Sequence, residues 1–390
     1  MSGECLSNIQ NKIKISHTKT VVLIRTTSIY NDSRAMKEIN TLSRHGYRVI
    51  VLGWDRDGKA ITQCKKNFNN DIIFYFFERQ LKNIGLRHIN RLFSWFSWVY
   101  KTLYKIVDGD NIFIIHACDL DAGIPALWFV KKHKSSLIKL VYDIYDYYVD
   151  SHSIPSLIKS QVEKIEISVI NASNLTIICN EERKWQIRKA CPKNILVIHN
   201  APDLREIDLP FVKEQYDYAY CGSLAPVRLL KETFESYDKH QDIRMIIGGY
   251  GVYDTLAKKM DEQYFNFHFR GALSYPDVLR TESSAKILSA IYDPSITNHR
   301  LAAPNKFYEA LALGKPLIVC QGTGIDNIVK KEHLGIVIPY DVEAFYSALY
   351  QLLRNEDIRN EMSDNAKKLF YTQYNWGRME KILLNAYERL

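Results

Sequence analysis

The sequence predicts an α/β protein built from two Rossmann-like, doubly wound parallel-sheet domains that face each other across a cleft. Three observations predict it. Short, almost continuous apolar runs alternate with longer segments of helical period, the pattern of parallel strands covered on both faces. The alternation pauses once, at the polar, proline-bearing stretch NAPDLREIDLPFVKEQYD (Asn200–Asp217), and then resumes. The chain has 390 residues, enough at about 150 per domain for two or three cores.

A polar tail, residues 1–20, precedes the first apolar run. In the domain spanning 21–200, VVLIR (Val21–Arg25) is followed by a polar loop and a helix over Ser33–His45. Met36, Ile39 and Leu42 share one stripe of that helix, and Gly46 ends it. YRVIVLG (Tyr47–Gly53), IIFYFF (Ile72–Phe77), NIFIIHA (Asn111–Ala117), LIKLVYD (Leu137–Asp143), LTIIC (Leu175–Cys179) and ILVIH (Ile195–His199) follow as strands. Residues 201–217 read as a linker. The second series, 218–371, holds YAYCGS (Tyr218–Ser223), IRMIIGG (Ile243–Gly249), FNFHFRG (Phe265–Gly271), KILSAIYD (Lys286–Asp293), PLIVC (Pro316–Cys320) and GIVIP (Gly335–Pro339). The segment 372–390 ends in an amphipathic helix, Trp376–Leu390, with Ile382, Leu383, Ala386 and Tyr387 on one side.

Composition excludes several classes. Hydrophobic residues at 46% and charged residues at 25% suit a globular protein. The seven cysteines are scattered and form no C-x-x-C pair, which argues against a zinc knuckle or a thioredoxin-type site and suits a reducing compartment. The N-terminal stretch lacks an apolar signal core, and no run of about 18 apolar residues occurs, so a cytoplasmic protein is expected, at most resting on a membrane face. A net charge of +8 suits an anionic partner but does not choose one.

In open parallel sheets ligands bind beyond the carboxyl ends of the strands. Four constellations lie there. In CGSLAPVR (Cys221–Arg228), Gly222 lets the backbone approach a ligand, Ser223 offers a hydroxyl, and Arg228 supplies a cation; the set reads as a diphosphate cradle or as a plain turn with a surface arginine. IGGYG (Ile247–Gly251) is a loosened glycine cluster, and Gly249 marks a close approach of main chain to something. Pro304, Asn305 and Lys306 open a helix whose N-terminus favours anions, and Glu309 follows one turn in. Glu309 either accepts both hydroxyls of a ribose or pairs with Lys306 on an exposed face. HACDLDAG (His116–Gly123) and YDIYDYY (Tyr142–Tyr148) bring Asp119, Asp121, Asp143 and Asp146 to the cleft, as acceptor-binding or basic groups; Asp119 also reads as a helix cap. The DLD triplet matches a metal motif only literally, and no metal is expected.

The order and spacing of these motifs resemble the GT-B-fold glycosyltransferases of family 4, the retaining "glycosyl transferases group 1" of bacterial type. The likeness runs from about Val21 to Leu390 through NDSRAMKEINTLSRHGYRVIVLGW, HACDLDAG, LVYDIYD, VIHNAPD, CGSLAPVR, IRMIIGGYG, FRGALSYPDVLR and PNKFYEALALGKPLIV. The resemblance implies that Glu309 holds the donor ribose and Arg228 contacts the donor diphosphate. Gly222, Ser223, Gly249, Pro304, Asn305 and Lys306 complete the donor side. Asp32, Arg34, Cys118, Asp119, Asp121 and Asp146 form the acceptor side. Asp119, Arg228, Lys306 and Glu309 are the implied catalytic set. Ser223 stands where the family has an arginine, and Lys306 is the candidate to replace it. Leu301 stands where the family's E-x7-E pattern has its first glutamate, and Cys118 where many members have a histidine. The resemblance further implies transfer from a nucleoside-diphosphate sugar to a glycan or polyprenyl-linked acceptor without a metal, front-face attack with retention, and a final helix that crosses back to the N-terminal domain.

One further segment bears on the acceptor. HINRLFSWFSWVYKTLYKIV (His88–Val107) reads as a helix with a core stripe of Ile89, Phe93, Phe96, Val99, Leu103 and Ile106. A second stripe, Arg91, Trp95, Trp98 and Lys105, suits an anionic membrane surface or packing on a neighbouring helix. Two alternatives remain open at this level: a nucleotide-sugar 2-epimerase, and a non-catalytic binding subunit. A nicotinamide dehydrogenase fits poorly, because the first strand ends in RTTSIYNDSR rather than a glycine fingerprint. Nucleic-acid binding has only the mild positive charge in its favour.

Overall fold

The computed structural model describes residues 19–78, 86–107, 112–206 and 213–390, without the side chains of residues 86–89. The expected tail through residue 18 with its Cys5, the linker centre at 207–212 with Pro210, Asn111, and the side chains of His88 and Ile89 lie outside the described residues.

Thirteen strands form two parallel sheets. The first contains β1 (Thr20–Arg25), β2 (Arg48–Asp55), β3 (Ile73–Glu78), β4 (Phe113–Cys118), β5 (Ile138–Ile144), β6 (Leu175–Ile178) and β7 (Ile195–Val197), in the order β3-β2-β1-β4-β5-β6-β7. The second contains β8 (Tyr216–Leu224), β9 (Met245–Gly251), β10 (Phe267–Phe269), β11 (Ala285–Ala290), β12 (Leu317–Cys320) and β13 (Gly335–Ile338), in the order β10-β9-β8-β11-β12-β13. Each apolar run of the sequence forms one of these strands. The linker is shorter than expected: Tyr216 and Asp217 already belong to β8, where buried Asp217 accepts hydrogen bonds from Arg244 and Lys286. The strand order turns between β1 and β4, and again between β8 and β11. Those two points are where open α/β sheets form ligand crevices.

Helices bury both faces of each sheet. The side chains of β1, such as Val22 and Ile24 on one face and Val21 and Leu23 on the other, are fully buried, which explains why its sequence shows no alternation. The helix Trp376–Glu388 does not pack in the second domain. Its Trp376, Met379, Leu383 and Tyr387 join the first domain's core. Burial of each such side chain contributes about 1.5–3 kcal/mol. Polar contacts fix its register: Trp376 Nε1 donates to Thr41 Oγ1 at 2.9 Å, and the Tyr387 hydroxyl meets His116 Nδ1 at 2.6 Å.

Candidate active site

The donor-side motifs converge at the second switch point. β8 ends at Gly222–Leu224, and a turn carries Arg228 back over the loop after β11. The Arg228 guanidinium stacks 3.7 Å above the Tyr292 ring, and its Nη1 lies 3.4 Å from His299 Nε2. It forms no ion pair among the described residues, so its charge is available. The helix Asn305–Leu313 opens on Pro304 and closes on Gly314 at φ +63°, as its sequence predicts. Lys306 lies over the Tyr220 ring, 4.5 Å from its centre, and its Nζ crowds the place a Cβ on Gly222 would take. The ammonium therefore stands over Gly222, one residue before Ser223. Burial opposes its charge, but the phenols Tyr220 and Tyr292 and the carboxylates Glu309 and Glu282 hold its pKa above the ordinary lysine value.

Glu309 is only 4% exposed, which removes the solvated-face reading. Burial raises its pKa, while Lys306, Lys37 from the first domain and a hydrogen bond with Tyr275 act the other way. A second carboxyl, Glu282, was not singled out from the sequence. It is buried, its Oε2 has no hydrogen-bond partner among the described residues, and burial together with Glu309 pushes its pKa well up. The glycine cluster is explained by β-strand contact. A Cβ on Gly249, at φ +135°, would sit 1.8 Å from the Gly222 carbonyl oxygen, so the main chain that comes close there is β8.

On the first domain, a cavity of about 320 Å³ opens at the β1/β4 switch point. Asp119, Asp121 and Asp146 line it together with Arg25, Arg56, Tyr148 and His152. Asp119 is at φ 63°, ψ 172°, a conformation that costs a non-glycine residue about 1–3 kcal/mol. Its carboxylate is held by Arg25 and by the Tyr145 and Asp146 amides, so it caps the β5 loop rather than its own helix. Asp146 accepts from Arg183 at 2.9 Å and, across the cleft, from Asn298 Nδ2 at 3.0 Å.

Three acceptor-side expectations are corrected. Arg34 is buried and braces the domain: it donates to Asp143 at 2.8 Å, Glu38 at 3.1 Å and the Ile198 carbonyl at 2.7 Å. Cys118 is fully buried in β4, and burial raises its pKa well above the usual thiol value. Asp32 caps the helix Ser33–Arg44 through the Ala35 amide and accepts from Arg25 at 2.8 Å. The expected membrane stripe is also corrected. Trp95 is fully buried, stacked between Trp54 and Trp98, with its Nε1 donating to the Asp121 carbonyl at 2.9 Å. Trp98 packs on Phe77 and Arg91 is half-buried; only Lys105 of the four is exposed. Phe93, expected in the core, is 61% exposed. A cluster of ligand-type side chains, Glu38, His116 and Cys118, lies buried beside the Arg34 guanidinium.

Residues 206–369 match the model of the family described as glycosyl transferases group 1. This segment is a glycosyl transferases group 1 domain. Two uncharacterized glycosyltransferases of Methanocaldococcus jannaschii are similar to the chain. MJ1069 is 20% identical over 215 residues, 51% of this chain and 53% of that protein. MJ1607 is 32% identical over 81 residues, 20% and 21% of the two chains. The chain thus spans about half the length of the first of these relatives. Solved structures share the two-domain fold: sucrose-phosphate synthase from Thermosynechococcus elongatus (TM-score 0.71, 13% identity, 95% of this chain and 98% of that one) and Anabaena Alr3699/HepE in complex with UDP (0.68, 14%, 96% and 100%). S. aureus TarM is a further neighbour (0.67, 12%, 95% and 99%). The group 1 domain contains every donor-side residue named above, and the cavity with Asp119 lies on the domain before it.

Proposed function

We propose that the chain is a retaining, metal-independent glycosyltransferase that moves a sugar from a nucleoside-diphosphate sugar to a glycan or polyprenyl-linked acceptor in cell-surface polysaccharide assembly. The observation that carries this reading is the meeting of two cations, unpaired Arg228 and Lys306, at the end of β8 and the start of the helix bearing Glu309. HepE has been solved with UDP and with UDP-glucose, which supports a nucleotide-sugar donor on this fold.

In the transfer step the bond from the anomeric carbon to the diphosphate oxygen breaks and a bond to the acceptor oxygen forms. The acceptor proton passes to the departing diphosphate. Negative charge grows on that diphosphate, and Arg228, Lys306 and the helix N-terminus stabilise it. Glu309 holds the ribose. Asp119, braced by Arg25, shapes the acceptor side.

A membrane setting is part of the proposal, on a different face from the one the sequence suggested. Exposed Phe93 and Trp128 meet through Phe96, and exposed Tyr104 lies on His133. Lys101, Lys105, Lys131 and Lys132 are exposed on the same two helices, Leu86–Ile106 and Leu120–His133. The first helix contains no acidic residue and the second only Asp121, in the cavity. No helix among the described residues is long and apolar enough to cross a membrane. The deciding experiment is a thermal-shift panel of nucleoside diphosphates and their sugars, followed by transfer assays with and without chelator. A ligand at about 100 times its Kd adds about 2.7 kcal/mol to the folded state. No shift with any nucleotide refutes the donor site. Donor turnover without an acceptor favours the epimerase.

A further inference from the structure

The segment Ile291–Pro304 runs from the end of β11 to the helix bearing Lys306 and Glu309, and it touches both domains. Its start is tied to the Arg228 turn, with the Asp293 amide donating to the Val227 carbonyl at 3.2 Å. Its end is tied to the first domain. Asn180 Nδ2 donates to the carbonyls of Leu301 at 3.2 Å and Ala302 at 3.3 Å, and Asn200 Nδ2 to that of Ala303 at 2.8 Å. Between these anchors lie Asn298 and His299, neighbours in sequence that point to opposite half-sites.

His299 is 9% exposed and packs edge-on against Tyr292. Its Nδ1 lies 2.9 Å from the Asp293 carbonyl, which can only accept. Nδ1 therefore carries the proton, and the lone pair on Nε2 points at Arg228 Nη1. Burial lowers the histidine's pKa, so this neutral tautomer is the form present at pH 7. Stacked on Tyr292 and tethered by His299, the Arg228 guanidinium is fixed on two sides with no carboxylate paired to it among the described residues. Asn298 donates to Asp146, a cavity residue of the other domain.

We infer that Asn298 and His299 are positioning residues that join the two half-sites: His299 aims Arg228 at the donor diphosphate, and Asn298 holds the segment to the acceptor cavity through Asp146. The inference rests on the donor-site reading above. Movement of the first domain at Asp146 is passed along one peptide unit to the imidazole that orients Arg228. This supplies a physical link by which a filled acceptor cavity changes the donor site.

The test is calorimetric titration of the full chain with uridine diphosphate, and with pyrophosphate as a base-free probe. His299→Ala weakens binding about tenfold. His299→Gln, whose amide oxygen can take the place of Nε2, restores it and stays readable if the alanine variant folds poorly. As pH falls through the histidine's lowered pKa, a protonated His299 turns an N–H against Arg228. Wild-type affinity therefore drops relative to His299→Gln across that fall. Asn298→Ala weakens binding about threefold although Asn298 is remote from the diphosphate, and this loss disappears in the His299→Ala background. A wild type that binds while His299→Ala binds equally well overturns this inference alone. So does an additive double variant, or a pH profile shared by wild type and His299→Gln. A wild type that binds neither probe overturns the donor-site reading and this inference together.

Discussion

Gly249→Ala isolates the contact between the ends of β8 and β9 on which the donor loop is built. The added methyl would stand 1.8 Å from the Gly222 carbonyl oxygen and 2.8 Å from its carbon. Carbon–oxygen contacts settle near about 3.3–3.6 Å, so the strands must part by about 1.5 Å. Neither atom of the clash belongs to a flexible side chain. Residue 249 is also at φ +135°, where a side chain costs about 1–3 kcal/mol. Displacing packed backbone adds about 1–3 kcal/mol. A total of about 4 kcal/mol lowers Tm by about 8–16 °C at this domain size. Gly46→Ala is the control: it has φ +82° but no atom within 4 Å of the new methyl, and loses only the conformational part. Melts followed by circular dichroism, with uridine diphosphate titration alongside, read both effects. A Gly249→Ala protein that melts within about 2 °C of wild type and keeps its nucleotide affinity refutes the reasoning.

Other consequences are equally open to measurement. Arg228→Ala and Glu309→Ala each lower transfer about 10²-fold or more with the fold retained, the scale of losing a charge-stabilising donor; near-normal turnover of both sinks the donor assignment. Replacing Phe93 and Trp128 by serine, and Lys101 and Lys105 by glutamate, abolishes binding to anionic liposomes at low salt, whereas neutral liposomes bind neither form; undiminished binding of the variant excludes this face. Arg34→Leu leaves Asp143 and Glu38 buried without their cation and costs about 3–5 kcal/mol, read by urea denaturation. Burial, aided by Arg34, lowers the pKa of His199 from its ordinary 6.5 to about 4. Its contribution is therefore present above about pH 6.5 and lost as pH falls through about 4. His199→Gln should flatten that part of the acid limb of the stability curve, and an unchanged limb would remove His199 from the account.

Strand positions were legible because the central runs, such as β1, β4 and β12, are buried on both faces and need an unbroken apolar sequence. The strand-end rule then led to Gly222, Arg228, Asp119 and Asp146. Applied to β1 it would also have found Arg25, whose partner Asp119 is supplied by β4. Lys306 beside Gly222 was guessable only as a substitute for the missing arginine at Ser223, since the two positions meet through the sheet and not along the chain. The helix Leu86–Ile106 misled for a different reason. It carries aromatic residues on two stripes, so periodicity gives two apolar faces and no choice between them. The choice is made by Trp54, Phe77 and the Asp121 carbonyl, which receive Trp95. Arg34 likewise reads as a site residue until its partners from β5 and the β7 exit are seen. His299 offered no signal, because its role depends on the carbonyl of Asp293 earlier in the same loop and on an arginine brought in by another strand.

The helix Trp376–Glu388 makes the second domain, in effect, an insertion held within the first. The chain leaves the first domain near Ala201, completes the group 1 domain, and then returns to fill a slot between the helix Ser33–Arg44 and the first sheet. Cutting after residue 371 would strip Trp376, Met379, Leu383 and Tyr387 from a core whose other buried members lie between Val21 and Ala201. The first domain therefore cannot reach its full stability until the helix Trp376–Glu388 has docked on it. Exchange of donor specificity by grafting a foreign group 1 domain must then preserve two junctions rather than one, and the second junction is the one that seals the acceptor domain.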